Sequence, residues 1–213
     1  MKVCVVGLGK IGLPLSVQFA KSGFDVVGVD ISENSVSLIN NGIAPFPGEP
    51  LLDTYLNEVL AQKKILATSS YQQGVTDADI VVVLVPLIVD EKNIPNYTSI
   101  DSATTEIAKY LKKGALVSYE TTLPIGTTRT RFGNLLEKGS GFKAGVDFHL
   151  VFSPERVSSG RIFEDLKNYP KIVGGITKAC TDKGISFYTK ALKFNSRNDL
   201  NRPNGVWAVD SSA

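Results

Sequence analysis

The chain has 213 residues and a formal charge of +2, enough length for one large domain or a domain with an appendage. A charge so near neutral, with no dense Lys/Arg cluster, predicts no nucleic-acid partner; the apolar runs are too short to span a membrane, and glycines break the first before it can act as an export signal. The two cysteines, Cys4 and Cys180, lie far apart without metal-ligand spacing, so no metal is expected and the setting expected is reducing and cytoplasmic.

Lys2 to Val6 is an apolar run of the kind buried on both faces of a parallel sheet. It ends in Gly7-x-Gly9-x-x-Gly12, with Leu8, Lys10 and Ile11 between the glycines, and a helix pattern follows from Ile11 to Ser22 with Pro14 harmless in its first turn. Gly7 suits a tight turn. Gly9 removes a Cβ that would block a pyrophosphate, and Gly12 lets the helix pack on the strand while its N-terminal N–H groups face the phosphates. Three glycines alone also make an ordinary turn. Here a second strand, Val26 to Val29, ends in Asp30, placed to take both ribose hydroxyls of an adenosine and to repel a 2′-phosphate. The pattern predicts dinucleotide binding, with NAD preferred over NADP.

Ser32 caps a short helix to Ile39, and a Pro/Gly-rich insertion from Ala44 leads into a helix over 51–62. Strands follow at 65–67 and 80–85, the second rich in β-branched residues and closed by Pro86. Asn93 to Asn96 is a turn, and a helix over 99–111 carries lysines toward its end. The remaining pattern predicts a strand over 115–119, a helix over 127–136, strands over 148–152 and 171–173, and a helix over 177–192. A polar stretch then leads to a short apolar piece, Val206 to Val209. The fold class is α/β, a doubly wound Rossmann-like parallel sheet with helices on both faces. Residues 1–194 form the domain and 195–213 a linker.

Three loops beyond strand ends carry polar residues. Glu120 to Thr128 can present hydroxyls and N–H groups to a ligand, or Thr127 can simply cap the next helix. Ser153 to Arg161 sets Glu155 beside Arg156, Val157 and Ser158; it can bind an anionic substrate and place a carboxylate for acid–base work, or form a solvated Glu–Arg pair worth little. At Lys171 to Gly175 the glycines bring backbone close to a neighbour or make a plain turn. His149, the only histidine, reads as a core or edge residue, and Cys4 and Cys180 as packing.

Taken in order, the glycine motif, Thr121-Thr122-Leu123-Pro124-x-Gly126-Thr127, Ser153-Pro154-Glu155-Arg156 and Lys171-x-Val173-Gly174-Gly175 resemble the UDP-glucose/GDP-mannose dehydrogenase family over residues 1–192. The Ser-Pro-Glu-Arg stretch looks like the UDP-N-acetylhexosamine branch, where UDP-glucose and GDP-mannose enzymes tend toward Asn-Pro-Glu-Phe. Leu87–Ile88 stand where Thr-Pro is frequent, and Ser159 where Pro is common.

The resemblance implies oxidation of the C6 hydroxyl of a UDP-sugar to a carboxylate in two NAD-dependent steps, through a cysteine thioester that is then hydrolysed. By motif, Thr122 matches a threonine that helps hold a catalytic water, Glu155 the acid of thioester hydrolysis, Asp30 the ribose-binding acid, and Val85–Pro86 the adenosine flank. The nucleophilic Cys and catalytic Lys of the family belong to a Gly-Gly-x-Cys loop and a middle domain that this sequence does not contain. The family forms homodimers through a central helix. The expectation is a chain that binds NAD without turning over nucleotide sugar. Alternatives are a stand-alone NAD-binding sensor, a UDP-glucose 6-dehydrogenase, or a β-hydroxyacid-type dehydrogenase.

Overall fold

The computed structural model describes residues 1–199 and 201–209; the rest of the expected linker, residues 200 and 210–213, lies outside the described residues. The sheet is organised around β1 (Lys2–Val6), whose alternate residues face opposite layers. Val3 and Val5 point into one core with Leu13, Phe19 and Phe187, while Cys4 and Val6 point into the other with Ile100, Ile107 and Phe132. Burial on both faces explains why this strand reads as a continuous apolar run.

The first half continues as α1 (Gly12–Lys21), β2 (Asp25–Val29), α2 (Glu33–Asn40), α3 (Leu52–Ala61), β3 (Ile65–Thr68), α4 (Tyr71–Val75) and β4 (Ile80–Val83). A small hairpin of β5 (Ile88–Val89) and β6 (Pro95–Asn96) precedes α5 (Thr98–Tyr110) and β7 (Leu116–Tyr119). A π-helical turn, Thr128–Phe132, runs into α6 (Gly133–Ser140), followed by β8 (His149–Phe152), α7 (Ile162–Asn168), β9 (Lys171–Gly175), α8 (Lys178–Ala191) and β10 (Val206–Ala208).

The main sheet has the order β10-β9-β8-β7-β4-β1-β2-β3. All neighbours are parallel except β8 and β9, which pair antiparallel through Val151–Gly175 and Phe152–Gly174. The expected all-parallel sheet is therefore mixed at one edge, because the connection from β8 to β9 holds only the short α7 and returns the chain from the same end of the sheet. β10 pairs with β9 in register Val206–Lys171, so part of the expected linker adds a strand.

Other differences have local causes. β4 stops at Val83, two residues short of the apolar run: Leu84 N still donates to Val6 O at 2.8 Å, but β1 turns away at Gly7 and the Thr121 hydroxyl takes Val85 O at 2.7 Å. The turn read over 93–96 sits instead at Asp90 to Ile94, where Asp90 Oδ1 accepts from Lys92 N and Ile94 N and Asn93 takes φ 59°. The helix expected over 127–136 runs to Ser140.

Candidate functional site

Each glycine of the loop after β1 has a separate job. Gly7 lies at φ 95°, in the left-handed region. A Cβ on Gly12 would stand 1.8 Å from Gly7 O, so only glycine lets α1 approach the loop. At Gly9 the space is open, with nothing within 4 Å of the position a Cβ would take. Lys10 is exposed and Ile11 half-buried against the core, so these residues form the outer lip of the helix mouth.

Asp30 closes β2 and is tied to that loop. One carboxylate oxygen accepts from Leu8 N at 2.8 Å and the other from Ser32 N at 2.9 Å. Each oxygen keeps a further acceptor site, as two ribose hydroxyls require. Beyond Asp30 opens a cleft of about 400 Å³ walled by Ile31, Tyr71, Val85 and Pro86, with Ser99 and Ser102 of α5 on the far side. Ile31 is 84% exposed there. Apolar walls with a few hydroxyls suit a planar base. The residues present therefore fit a dinucleotide: open space at Gly9 for the pyrophosphate, two acceptors for the ribose, an apolar slot for the adenine. Ile31, Tyr71, Ser99 and Ser102 were not singled out from sequence; Ile31 follows the acidic residue directly and was the one with a usable signal.

Next to the cleft, at the same ends of β4 and β7, lies the loop from Glu120. The Thr121 bond to Val85 O fixes it there, and Thr122 is exposed. Thr127 caps nothing; its hydroxyl lies 3.5 Å from the Tyr97 hydroxyl. The loop after β8 runs alongside, with Glu155 N donating to Glu120 O at 3.0 Å.

Glu155 does not pair with either arginine. Its Oε2 lies 2.7 Å from Lys171 Nζ, and its Oε1 accepts from Arg156 N at 2.8 Å. The Arg156 guanidinium donates to Pro170 O, and Arg161 pairs with Asp165. Val157 is half-buried against the core, and Ser158 is exposed, its N–H held by Asp165 Oδ2 at 2.9 Å. Glu49, from the insertion, accepts from Gly160 N at 2.7 Å and Ile162 N at 2.9 Å and so clamps the far side of this loop. No sequence signal joins Glu49 to a segment so distant in the chain.

Behind Glu155 the polar residues are buried. Lys171, first residue of β9, is 4% exposed and reaches Glu120 Oε2 at 2.6 Å as well as Glu155. Glu120 Oε1 accepts from the Tyr188 hydroxyl at 2.6 Å, and that hydroxyl meets Ser118 Oγ at 2.7 Å. Burial pushes the Glu120 carboxyl up to about 7 against the pull of Lys171, with the Glu155 charge adding to the rise. For Glu155 burial also pushes upward, but the Lys171 ammonium prevails and holds it below the ordinary value. The two carboxylates in turn hold Lys171 above its ordinary value despite its burial. Burial and Glu120 keep Tyr188 far above the usual range, so it stays a hydroxyl. The arrangement presents an ionised carboxylate, Glu155, over a buried counter-charge, which is the state of a general base.

His149 lies at the opposite end of β8, half-buried, with burial and then Lys183 lowering its pKa and its Nδ1 without a partner among the described residues, so it takes no part. Cys4 and Cys180 are free and buried. Among the described residues no cluster could hold a metal ion, and no helix is long and apolar enough to cross a membrane.

The profile of the UDP-glucose/GDP-mannose dehydrogenase family, NAD binding domain, matches residues 1–192. The chain belongs to this family. It is 37% identical over 195 residues to a UDP-N-acetyl-D-mannosamine dehydrogenase of Pyrococcus horikoshii, covering 91% of this chain and 45% of that one. It is 33% identical to a UDP-N-acetyl-D-glucosamine 6-dehydrogenase of Pseudomonas aeruginosa, covering 90% and 44%. The solved structure of a UDP-D-ManNAc dehydrogenase from Pyrococcus horikoshii superposes with a TM-score of 0.89 at 32% identity, covering all of this chain and 47% of that one. The chain thus spans less than half the length of these relatives. Within that span it is the NAD-binding domain.

Proposed function

We propose that this chain is the cofactor-binding part of a nucleotide-sugar 6-dehydrogenase that oxidises the C6 hydroxyl of a UDP-N-acetylhexosamine to a uronate. The observation that carries this reading is the meeting of two loops: Glu155 N bonds Glu120 O, which sets Glu155 beside the Thr122 loop at the edge of the cofactor cleft. Relatives named for N-acetylated UDP-sugars, together with Ser153-Pro154-Glu155-Arg156, favour an N-acetylated substrate. Gly7, Gly9, Lys10, Ile11 and Gly12 hold the pyrophosphate, Asp30 the ribose, and Val85 and Pro86 the adenosine. When bound, NAD accepts hydride. Thr122 orients a water, and Glu155 takes its proton. Glu155, Arg156, Val157 and Ser158 line the sugar side, with the Arg156 guanidinium committed to Pro170 O. The partners are the UDP-sugar and a second copy of the whole protein. Two free thiols suit a reducing, cytoplasmic setting.

Calorimetric titration of the chain with NAD, NADP and a UDP-N-acetylhexosamine tests this reading. Saturable NAD binding, little NADP binding and weak sugar binding are expected. Asp30→Ala removes a charged ribose contact worth about 1.5–3 kcal/mol, so NAD affinity should fall roughly 10- to 150-fold. Tight sugar binding without NAD binding would overturn it.

A further inference from the structure

Two carboxylates share a single ammonium behind the candidate base. Glu120 is 1% exposed and Lys171 4%, and the groups facing them come from four elements: Glu155 from the loop after β8, Tyr188 from α8, Ser118 from β7, and Lys171 itself from β9. With both carboxylates ionised, the unit would carry a net negative charge out of reach of water, which is costly unless a proton is taken up. Glu120 is the deeper of the two, and on its other side it has a neutral partner, the Tyr188 hydroxyl, which is itself bonded to Ser118 Oγ. Glu155 is the one that reaches the surface loop.

We propose that Glu120, Lys171 and Glu155 form a one-proton unit in which Lys171 positions the Glu155 carboxylate and Glu120 is the reserve acid behind it. The inference rests on the reading of Glu155 as a base. A proton that Glu155 takes from a water adding to a substrate carbonyl turns it into a carboxylic acid. With Glu120 ionised, that proton passes to Lys171 as Lys171 passes one of its own to Glu120. Glu155 is again a carboxylate, Lys171 still an ammonium, and Glu120 a carboxylic acid, with the total charge unchanged by the relay. The 2.7 and 2.6 Å contacts of Lys171 are short enough for both transfers. The rise of the Glu120 carboxyl to about 7 suits a group that takes up and releases a proton near neutrality.

The experiment is carbon-detected NMR titration of the chain labelled at the glutamate carboxyl carbons, with Glu120→Gln and Glu155→Gln assigning the resonances. One carboxyl should titrate near neutrality and vanish in Glu120→Gln, and the Glu155 resonance should respond in the same step. Lys171→Met should raise the Glu155 titration, and Lys171→Arg should restore it. No glutamate titrating near neutrality, or one that persists in Glu120→Gln, overturns the proposal even if Lys171→Met fails to fold. NAD affinity is measured on the same samples. NAD binding without the neutral titration removes this inference alone, whereas absence of NAD binding removes the functional reading it rests on.

Discussion

Ionising Glu120 in the folded chain leaves two buried carboxylates on one ammonium, so its proton is bound more tightly folded than unfolded. The sign follows from linkage. Between the unfolded value of 4.5 and about 7 the native state holds the extra proton, and stability falls as pH rises through that window. Glu120→Gln keeps the shape and the hydrogen bond to Tyr188 while removing the titration. The variant should lose this downward slope and gain on the parent by up to about 3 kcal/mol once both are above neutral pH. Urea unfolding at several pH values measures it, and parallel profiles for the two proteins would contradict the assignment. At this scale the sequence showed the local partnerships and hid the distant ones. The close packing at Gly12 and the place of Asp30 beside the glycine loop were readable because they follow from spacing along a few residues. Glu155 was readable as a carboxylate in a loop, but its partner was not: the neighbouring arginines are drawn off by Pro170 O and Asp165, and Lys171 arrives from a separate strand.

The junction of β1 and α1 separates packing from binding at the scale of an element. An alanine at Gly12 would place its methyl 1.8 Å from Gly7 O, backbone against backbone, so the helix must move off the loop. Overpacking of this kind costs about 1–3 kcal/mol or more, and Gly12→Ala should lower both the melting temperature and NAD affinity. Gly9→Ala meets nothing within 4 Å and should melt like the parent, yet its methyl occupies the space left for the pyrophosphate. Thermal melting paired with calorimetry distinguishes the two, and a Gly9→Ala chain that binds NAD as the parent does would move the pyrophosphate elsewhere. Elements with long periodic or wholly apolar patterns, such as β1, α5 and α8, were legible for the same reason that they are stable. Those not foreseen are short or depend on distant caps: α4 has five residues held by Ser70 Oγ on Gln73 N, and α7 starts on backbone N–H groups taken by Glu49. β10 has three residues and exists only because β9 offers an edge.

Across the whole molecule, cofactor binding and covalent chemistry fall on different footings. The sheet brings the glycine loop, Asp30, Thr122 and Glu155 to the same ends of its strands. A thiol nucleophile is not at those ends. Cys4 sits inside β1, where burial pushes its thiol up to about 12. Cys180 is fully buried at the start of α8, where its sulfur accepts from Leu150 N at 3.4 Å and from the Thr177 hydroxyl at 3.1 Å. Thiolate, not thiol, is the nucleophile; burial opposes it at Cys4, and the Cys180 sulfur is buried away from any ligand. Incubating a polypeptide of these 213 residues with NAD and a UDP-N-acetylhexosamine should therefore produce no NADH absorbance, although NAD binds. Both cysteines should resist maleimide labelling until denaturant is added. NADH formation by the pure chain would show that oxidation proceeds without a thiol. Rapid native labelling of either cysteine, by contrast, would reopen Cys4 or Cys180 as a nucleophile.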